Sequence, residues 1–263
     1  MGSHVRSTAG AVIIGNEILS GKVRDENTPF LVDQLRELGV ALRRISVIPD
    51  VLGEIASTVR HFSETYDWVF TSGGVGPTHD DITMAGIAQG FGVPLVEHPE
   101  LIETLREKHP LGLTDATRRM ALIPQGATVT WGGRFRWPSV QLGNVHILPG
   151  VPFLFRAKVE ALRDMLRASP FLCHSVWTGL DEGVLAAMLE AVLAAHEGVE
   201  IGSYPQFEQQ GWRVRLTLEA ADAAVLEAAT AHLVGLIPAE QLHRVDRGDA
   251  AGPPQSTGSG ASG

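Results

Sequence analysis

Strand-like and helix-like stretches alternate through the first two thirds of this 263-residue chain. The alternation predicts an α/β fold with a mostly parallel sheet covered on both faces. Three observations carry that expectation. Apolar runs at 9–15, 40–48 and 68–71 each lead, through a loop, to apolar residues at helical spacing. Three loops, 15–27, 72–83 and 149–152, follow strand-like runs; in a parallel sheet this gathers them at the carboxyl ends of the strands, where ligands bind. After Ser169-Pro170 the pattern becomes strand, helix, strand, strand, helix, the order of a small two-layer βαββα domain. The expected organisation is a large domain over 8–169, the small one over 170–247, and a disordered tail over 248–263, rich in Gly, Ser and Pro.

The elements follow in order. Residues 9–15 form a buried first strand. Phe30, Leu31, Gln34, Leu35 and Leu38 share one helix face, and Gly39 stops that helix. Residues 40–48 form a second strand, and 55–62 lie on a helix. Trp68 to Thr71 form the third strand, and the helix after its loop carries Ile82, Ile87 and Phe91. A short strand over 93–96, a helix over 99–108 and another over 113–122 come next, then β character over 123–131. Val140 to Leu142 and Val145 to Leu148 flank Gly143-Asn144, a hairpin signal. Phe155, Val159, Leu162 and Leu166 mark a strong amphipathic helix. In the small domain the expected elements are a strand over 172–178, a helix over 181–195, strands over 199–204 and 211–219, and a helix over 222–236. Val184, Leu185, Met188, Leu189 and Val192 form the core stripe of the first of these helices.

Composition narrows the partners. At 44% hydrophobic and 19% charged the chain is globular. A formal net charge of −9 argues against nucleic-acid binding. The single cysteine, Cys173, excludes an intrachain disulfide and a cysteine-based structural zinc site, and fits a reducing, cytoplasmic location. Cys173 lies in an apolar run and is expected in the core. No stretch is long and apolar enough to span a bilayer, and no signal-type segment opens the chain, so no membrane partner is expected.

The chemistry concentrates in 72–83. Gly73, Gly74 and Gly76 follow a strand and precede a helix, which presents backbone N–H groups to a phosphate. Asp80 and Asp81, beside them, are suited to a divalent cation. The plainer reading of Thr78 and Asp81 is a capping box. Glu17 reads either as a further ligand or base, or as a solvated carboxylate. Asn27 reads as a site residue or a helix cap, and Pro149-Gly150 as a site loop or an ordinary turn. Arg134 and Arg136 either neutralise ligand charge or lie in a solvated loop. His79 is a proton carrier or a surface neighbour of the acids. The loop fits neither Walker A nor the dinucleotide fingerprint.

Three segments, Gly15-Asn-Glu-Ile-Leu-Ser-Gly-Lys-Val-Arg-Asp-Glu-Asn27, Gly73-Gly-Val-Gly-Pro-Thr-His-Asp-Asp-Ile-Thr83 and Leu148-Pro-Gly-Val-Pro152, together resemble the MoaB/Mog-like molybdopterin-binding superfamily. Within it the chain looks like the amino-terminal part of competence-damage-inducible protein A, and closer still to the corresponding domain of eukaryotic FAD synthases. Arg134-Phe-Arg-Trp-Pro138 and Ile201-Gly-Ser-Tyr-Pro205 carry the closer likeness. The resemblance implies a three-layer αβα fold, a pterin or nucleotide site at the glycine loop, and self-association of the large domain.

In cofactor-synthesis relatives the aspartate matching Asp81 supports metal-dependent adenylyl chemistry. Those relatives have Gly-Gly-Thr-Gly where this chain has Gly73-Gly-Val-Gly76, and the missing hydroxyl weighs against adenylyl transfer to molybdopterin. Competence-type and FAD-synthase-type relatives are linked to metal-dependent hydrolysis of the diphosphate in ADP-ribose or FAD. The expected function is therefore a nucleotide pyrophosphatase dependent on Mg, Mn or Co. Asp80, Asp81 and Glu17 are its expected metal ligands. Gly73, Gly74, Gly76, Thr78, Asn27, Pro149, Gly150, Arg134 and Arg136 are its expected substrate contacts. The alternative is a pterin- or nucleotide-binding module without turnover. Neither a deamidase nor an FAD-forming adenylyltransferase segment is recognised, so neither activity is expected.

Overall fold

The computed structural model describes residues 7–108, 112–131, 137–167, 172–206 and 211–248. Arg134, Arg136 and residues 249–263 of the expected tail lie outside these. The chain divides into two compact units, with the boundary between residues 168 and 169.

The first unit begins with β1 (Thr8–Ile14), α1 (Asn16–Leu19), α2 (Asn27–Glu37), β2 (Ala41–Ile48), α3 (Leu52–Thr65), β3 (Trp68–Ser72) and α4 (Thr83–Phe91). It continues with β4 (Leu95–Glu97), α5 (Pro99–Lys108), α6 (Asp115–Arg119), β5 (Leu122–Pro124), β6 (Thr128–Thr130), β7 (Ser139–Leu142), β8 (Val145–Leu148) and α7 (Pro152–Leu166). Six strands form one sheet in the order β2-β1-β3-β8-β7-β6. The first four are mutually parallel, with Ala11 opposite Ile45 and Phe70, and Thr71 opposite Ile147. β7 and β6 extend the sheet antiparallel through the hairpin at Gly143-Asn144.

Alternation along β1 explains the layering. Val12 and Ile14 pack into one core with Ile55, Val59 and Phe62 of α3 and Ile87 of α4. Ala9 and Ala11 pack into another with Leu31 and Leu35 of α2 and Phe155, Val159 and Leu162 of α7. Successive side chains of a strand point to opposite faces, so the two cores lie on opposite sides of the sheet. This is the expected three-layer αβα arrangement with a mostly parallel sheet.

Two expectations change in this unit. The helix expected over 113–122 is only α6, because Leu122 to Pro124 instead pair with β4 as β5. The helix after the glycine loop starts at Thr83, without a side-chain cap at Ile82. Thr78 and Asp81 therefore close a turn ahead of the helix rather than its first turn.

The second unit contains β9 (Leu172–Thr178), α8 (Glu182–Ala195), β10 (Glu200–Pro205), β11 (Val214–Ala220), α9 (Ala223–Leu236), a short 3-10 turn (Ala239–Gln241) and β12 (Leu242–Asp246). The strands pair antiparallel in the order β10-β11-β9-β12. Asp181 and Asp222 accept backbone N–H bonds and cap α8 and α9. The fourth strand completes the expected βαββα order to βαββαβ, a ferredoxin-like arrangement. Leu185 and Val192 are fully buried on α8, but Val184 is 48% exposed and leaves the expected stripe. Cys173 is half-buried rather than in the core, because it points to the face of β9 opposite Val176. Among the described residues no helix is long and apolar enough to cross a membrane.

Candidate ligand cleft at the carboxyl edge of the sheet

Strand order places the site. β2 and β3 lie on either side of β1, so the chain reverses direction across the sheet there. Such a switch point opens a crevice at the carboxyl ends of the strands. Three loops meet at this edge. The Gly73 N–H donates to the Leu148 carbonyl at 3.2 Å, which joins the glycine loop to the end of β8. A Cβ on Gly150 would lie 3.3 Å from the Gly73 Cα. Asn27, 5% exposed, donates through Nδ2 to the Ser72 hydroxyl at 2.9 Å and the Gly150 carbonyl at 2.8 Å. Asn27 therefore fastens the first loop to the other two instead of contacting the cleft. Its own N–H donates to Asp25 Oδ1 at 3.0 Å.

The glycine loop is held from inside. Gly73 has φ of 106°, and a Cβ there would fall 2.1 Å from the Ile14 carbonyl oxygen. At Gly74, φ is 64° and a Cβ would meet Thr83 Oγ1 at 2.3 Å. Both conformations favour glycine, and both contacts require it. Fully buried Thr83 donates its hydroxyl to the Gly73 carbonyl at 2.9 Å, and its N–H donates to the Gly74 carbonyl at 3.0 Å. Residue 83 thus fixes the loop and begins α4.

The acid pair sits beside this loop. The Thr78 N–H donates to Asp81 Oδ2 at 2.8 Å. The Thr78 hydroxyl lies between Asp80 Oδ1, at 2.6 Å, and Asp81 Oδ2. That hydroxyl, helped by a backbone N–H, holds the exposed Asp80 carboxyl below its ordinary pKa. His79 is almost wholly exposed, with Nδ1 4.0 Å from Asp80 Oδ1.

An open cleft of about 1120 Å³ lies beside these loops. Gly73, Gly74, Gly76, Thr78, His79, Asp81, Glu17, Pro149 and Gly150 line it. Asp80 is not among the lining residues. Among the described residues no three His, Cys, Asp or Glu side chains converge as a metal-binding group. Glu17 lines the cleft but folds back over Gly15, whose added Cβ would meet Glu17 Oε1 at 2.5 Å. A bridged carboxylate pair fits a hard ion of the Mg²⁺ type, which completes its shell with water and substrate phosphate. It does not fit an ion caged by protein alone.

Three basic lining residues were not foreseen from the sequence. Lys108 from α5, Arg119 from α6 and Lys158 from α7 bring three cations to the cleft. Arg119 Nη2 donates to the Pro77 carbonyl at 3.3 Å, and Lys108 Nζ stands 5.2 Å over the Trp137 ring. Lys158 donates to the Trp137 carbonyl. Burial, helped by neighbouring Lys108, pushes the Lys158 pKa down to about 8. Met84, Leu101, Leu105, Met120 and Leu122 form an apolar floor. Lys158 left a trace in the sequence: it interrupts the apolar stripe of Phe155, Val159 and Leu162. Lys108 and Arg119 left none, since each ends a short helix where a basic residue is ordinary.

A parallel αβα sheet with a ligand-sized crevice at its switch point defines the class. Residues 10–168 match the family described as "Probable molybdopterin binding domain", and residues 170–246 match that described as "FAD synthase, middle domain". The chain belongs to the molybdopterin-binding-domain family. It is 35% identical over 260 residues to a "Probable FAD synthase" of Caenorhabditis elegans, covering 88% of this chain and 50% of that protein. The chain thus spans about half the length of that relative. A protein of Aeropyrum pernix is 32% identical over 253 residues, covering 91% of this chain and 92% of its own. The crystal structure of the protein CinA, of unknown function, from Thermoplasma acidophilum matches 61% of this chain and 98% of its own, at 32% identity and a TM-score of 0.57.

Proposed function

We propose that this chain hydrolyses the diphosphate bridge of a dinucleotide-like substrate, FAD or ADP-ribose, with the help of a divalent ion. The observation that carries the reading is the shared cleft: glycine-loop backbone, the carboxylates of Glu17 and Asp81, three cations and apolar side chains border one space. An apolar floor suits a planar ring, while amides and cations suit phosphoryl oxygens. Asp80 and Asp81 are the residues that would hold the ion. When bound, it supplies positive charge to the phosphoryl oxygens and acidifies water. Gly74 and Gly76 would orient the diphosphate, on a loop that Gly73 fixes through its N–H bond to the Leu148 carbonyl, and Glu17, which lines the cleft, would take a proton from water. Water adds to one phosphorus, the bridging P–O bond breaks, and the bridge oxygen leaves with the second phosphoryl group. FAD with water gives FMN and AMP; ADP-ribose with water gives AMP and ribose 5-phosphate.

The test is a titration of Mg²⁺, Mn²⁺ and Co²⁺ against FAD, ADP-ribose and FMN, with products read by mass. Metal-dependent release of two monoesters supports the proposal. One observation favours a second reading, a binding module without turnover: no third acidic ligand joins Asp80 and Asp81 among the described residues. Tight binding with no cleavage under any of these ions would select it. We further propose that the first unit self-associates. Ile45 and Val47 on edge strand β2 are 42% and 40% exposed, which leaves apolar surface at an unpaired sheet edge.

A further inference from the structure

Lys158 is 5% exposed, on the packed side of α7. Its ammonium has three donors, and the partner found for it among the described residues is one neutral carbonyl, that of Trp137. The neighbouring charge that acts on it is another cation, Lys108. Buried charges are ordinarily paired with an opposite charge, and removing a cation from water beside a second cation is costly on both counts. Here both lysines border the cleft that contains the glycine loop.

We propose that Lys158 and Lys108 form an anion subsite that receives a phosphoryl group of the ligand. The proposal deepens the reading of the cleft as a diphosphate-ester site and rests on it for the ligand's identity. It assigns the α5–α7 side of the cleft to phosphate recognition, in addition to the amides of the glycine loop. Trp137, whose ring lies under Lys108 and whose carbonyl orients Lys158, links the two ammonium groups. A ligand with two anionic groups then engages both sides at once. A neutral nucleoside engages neither, and a single phosphate cannot fill both.

The full chain, stripped of metal with chelator, is titrated with inorganic pyrophosphate and with ADP-ribose by calorimetry. Wild type is compared with Lys158→Met and Lys158→Arg. The wild type is expected to bind both ligands. Lys158→Met weakens binding about tenfold to a hundredfold, the range of a lost charged hydrogen bond. Lys158→Arg retains part of the affinity. Ligand-free Lys158→Met melts no lower than wild type, since an apolar side chain replaces a buried, unpaired charge. A purely structural lysine predicts the reverse: a lower melting temperature and unchanged affinity.

Acylation of wild-type Lys158 by an amine-directed reagent near pH 8, read by peptide mass, is the second arm. Pyrophosphate is expected to protect that residue, and this arm decides if Lys158→Met fails to fold. Wild-type affinity in Lys158→Met, or labelling of Lys158 indifferent to pyrophosphate, overturns the subsite alone. If wild type binds neither pyrophosphate nor ADP-ribose, the diphosphate reading of the cleft falls with it.

Discussion

At the scale of the residue, Gly73 is the position least open to replacement. Its φ of 106° and the Ile14 carbonyl, 2.1 Å from an added Cβ, leave no conformation for alanine. Gly73→Ala is expected to cost about 2 kcal/mol or more in urea unfolding, with loss of ligand binding. Asp81 differs, because its Oδ2 accepts from Thr78 and an amide oxygen still accepts there, in a weaker bond without the charge. Asp81→Asn is therefore expected to keep the fold, within about 1 kcal/mol, and to lower metal-dependent turnover about 100-fold. Unchanged turnover at saturating metal would remove Asp81 from the chemistry.

His146 gives a third residue-scale prediction. It is 2% exposed, stacked against Trp68 and Phe70, and its Nε2 has no hydrogen-bond partner among the described residues. Burial pushes its pKa from 6.5 down to about 4. Between those values the unfolded chain binds a proton that the folded chain refuses. Stability is therefore full above pH 6.5 and falls as pH drops toward 4, by about 3 kcal/mol in all. His146→Phe is expected to flatten that acid limb in unfolding measured at successive pH values. An unchanged limb would assign it to other groups.

At the scale of the element, most of the chain was legible because its periodicities are strong. The strand over 172–178 and the hairpin around Gly143-Asn144 fall where patterning put them. Pattern failed where a tertiary partner decides the structure. Leu122 to Pro124 form a strand because β4 is there to pair with them. β12 is short and polar at His243, Arg244 and Asp246, and its pairing with β9 defines it. Thr78 and Asp81 carry the residue types of a helix cap but close a turn, because Thr83 is already committed to Gly73 and Gly74. The three loops of the site could be placed from strand order alone, whereas their clamp could not. Asn27 offered itself as a cap and holds Ser72 and Gly150 instead. Asn27→Ala is expected to cost about 2 kcal/mol, since it leaves buried groups unpaired. It should also weaken ligand binding, although Asn27 is not a lining residue. A variant stable and binding as wild type would show that the loops hold without it.

At the scale of the whole molecule, two units of different architecture share the chain. The cleft residues described all belong to the first unit. Self-association through that unit is expected as an oligomer in light scattering at micromolar concentration. Ile45→Lys with Val47→Lys on β2 is expected to shift it toward monomer. A wild-type monomer would count against the interface. The central claim is hydrolysis of a diphosphate bridge at the glycine-loop cleft. The most direct measurement is the fate of FAD and FMN, side by side, with chelator and then with Mg²⁺, Mn²⁺ or Co²⁺ restored. AMP and FMN are expected from FAD only when metal is present, with FMN itself left intact. Cleavage of FAD in chelator, phosphate release from FMN at a comparable rate, or no cleavage under any of the three ions would contradict it.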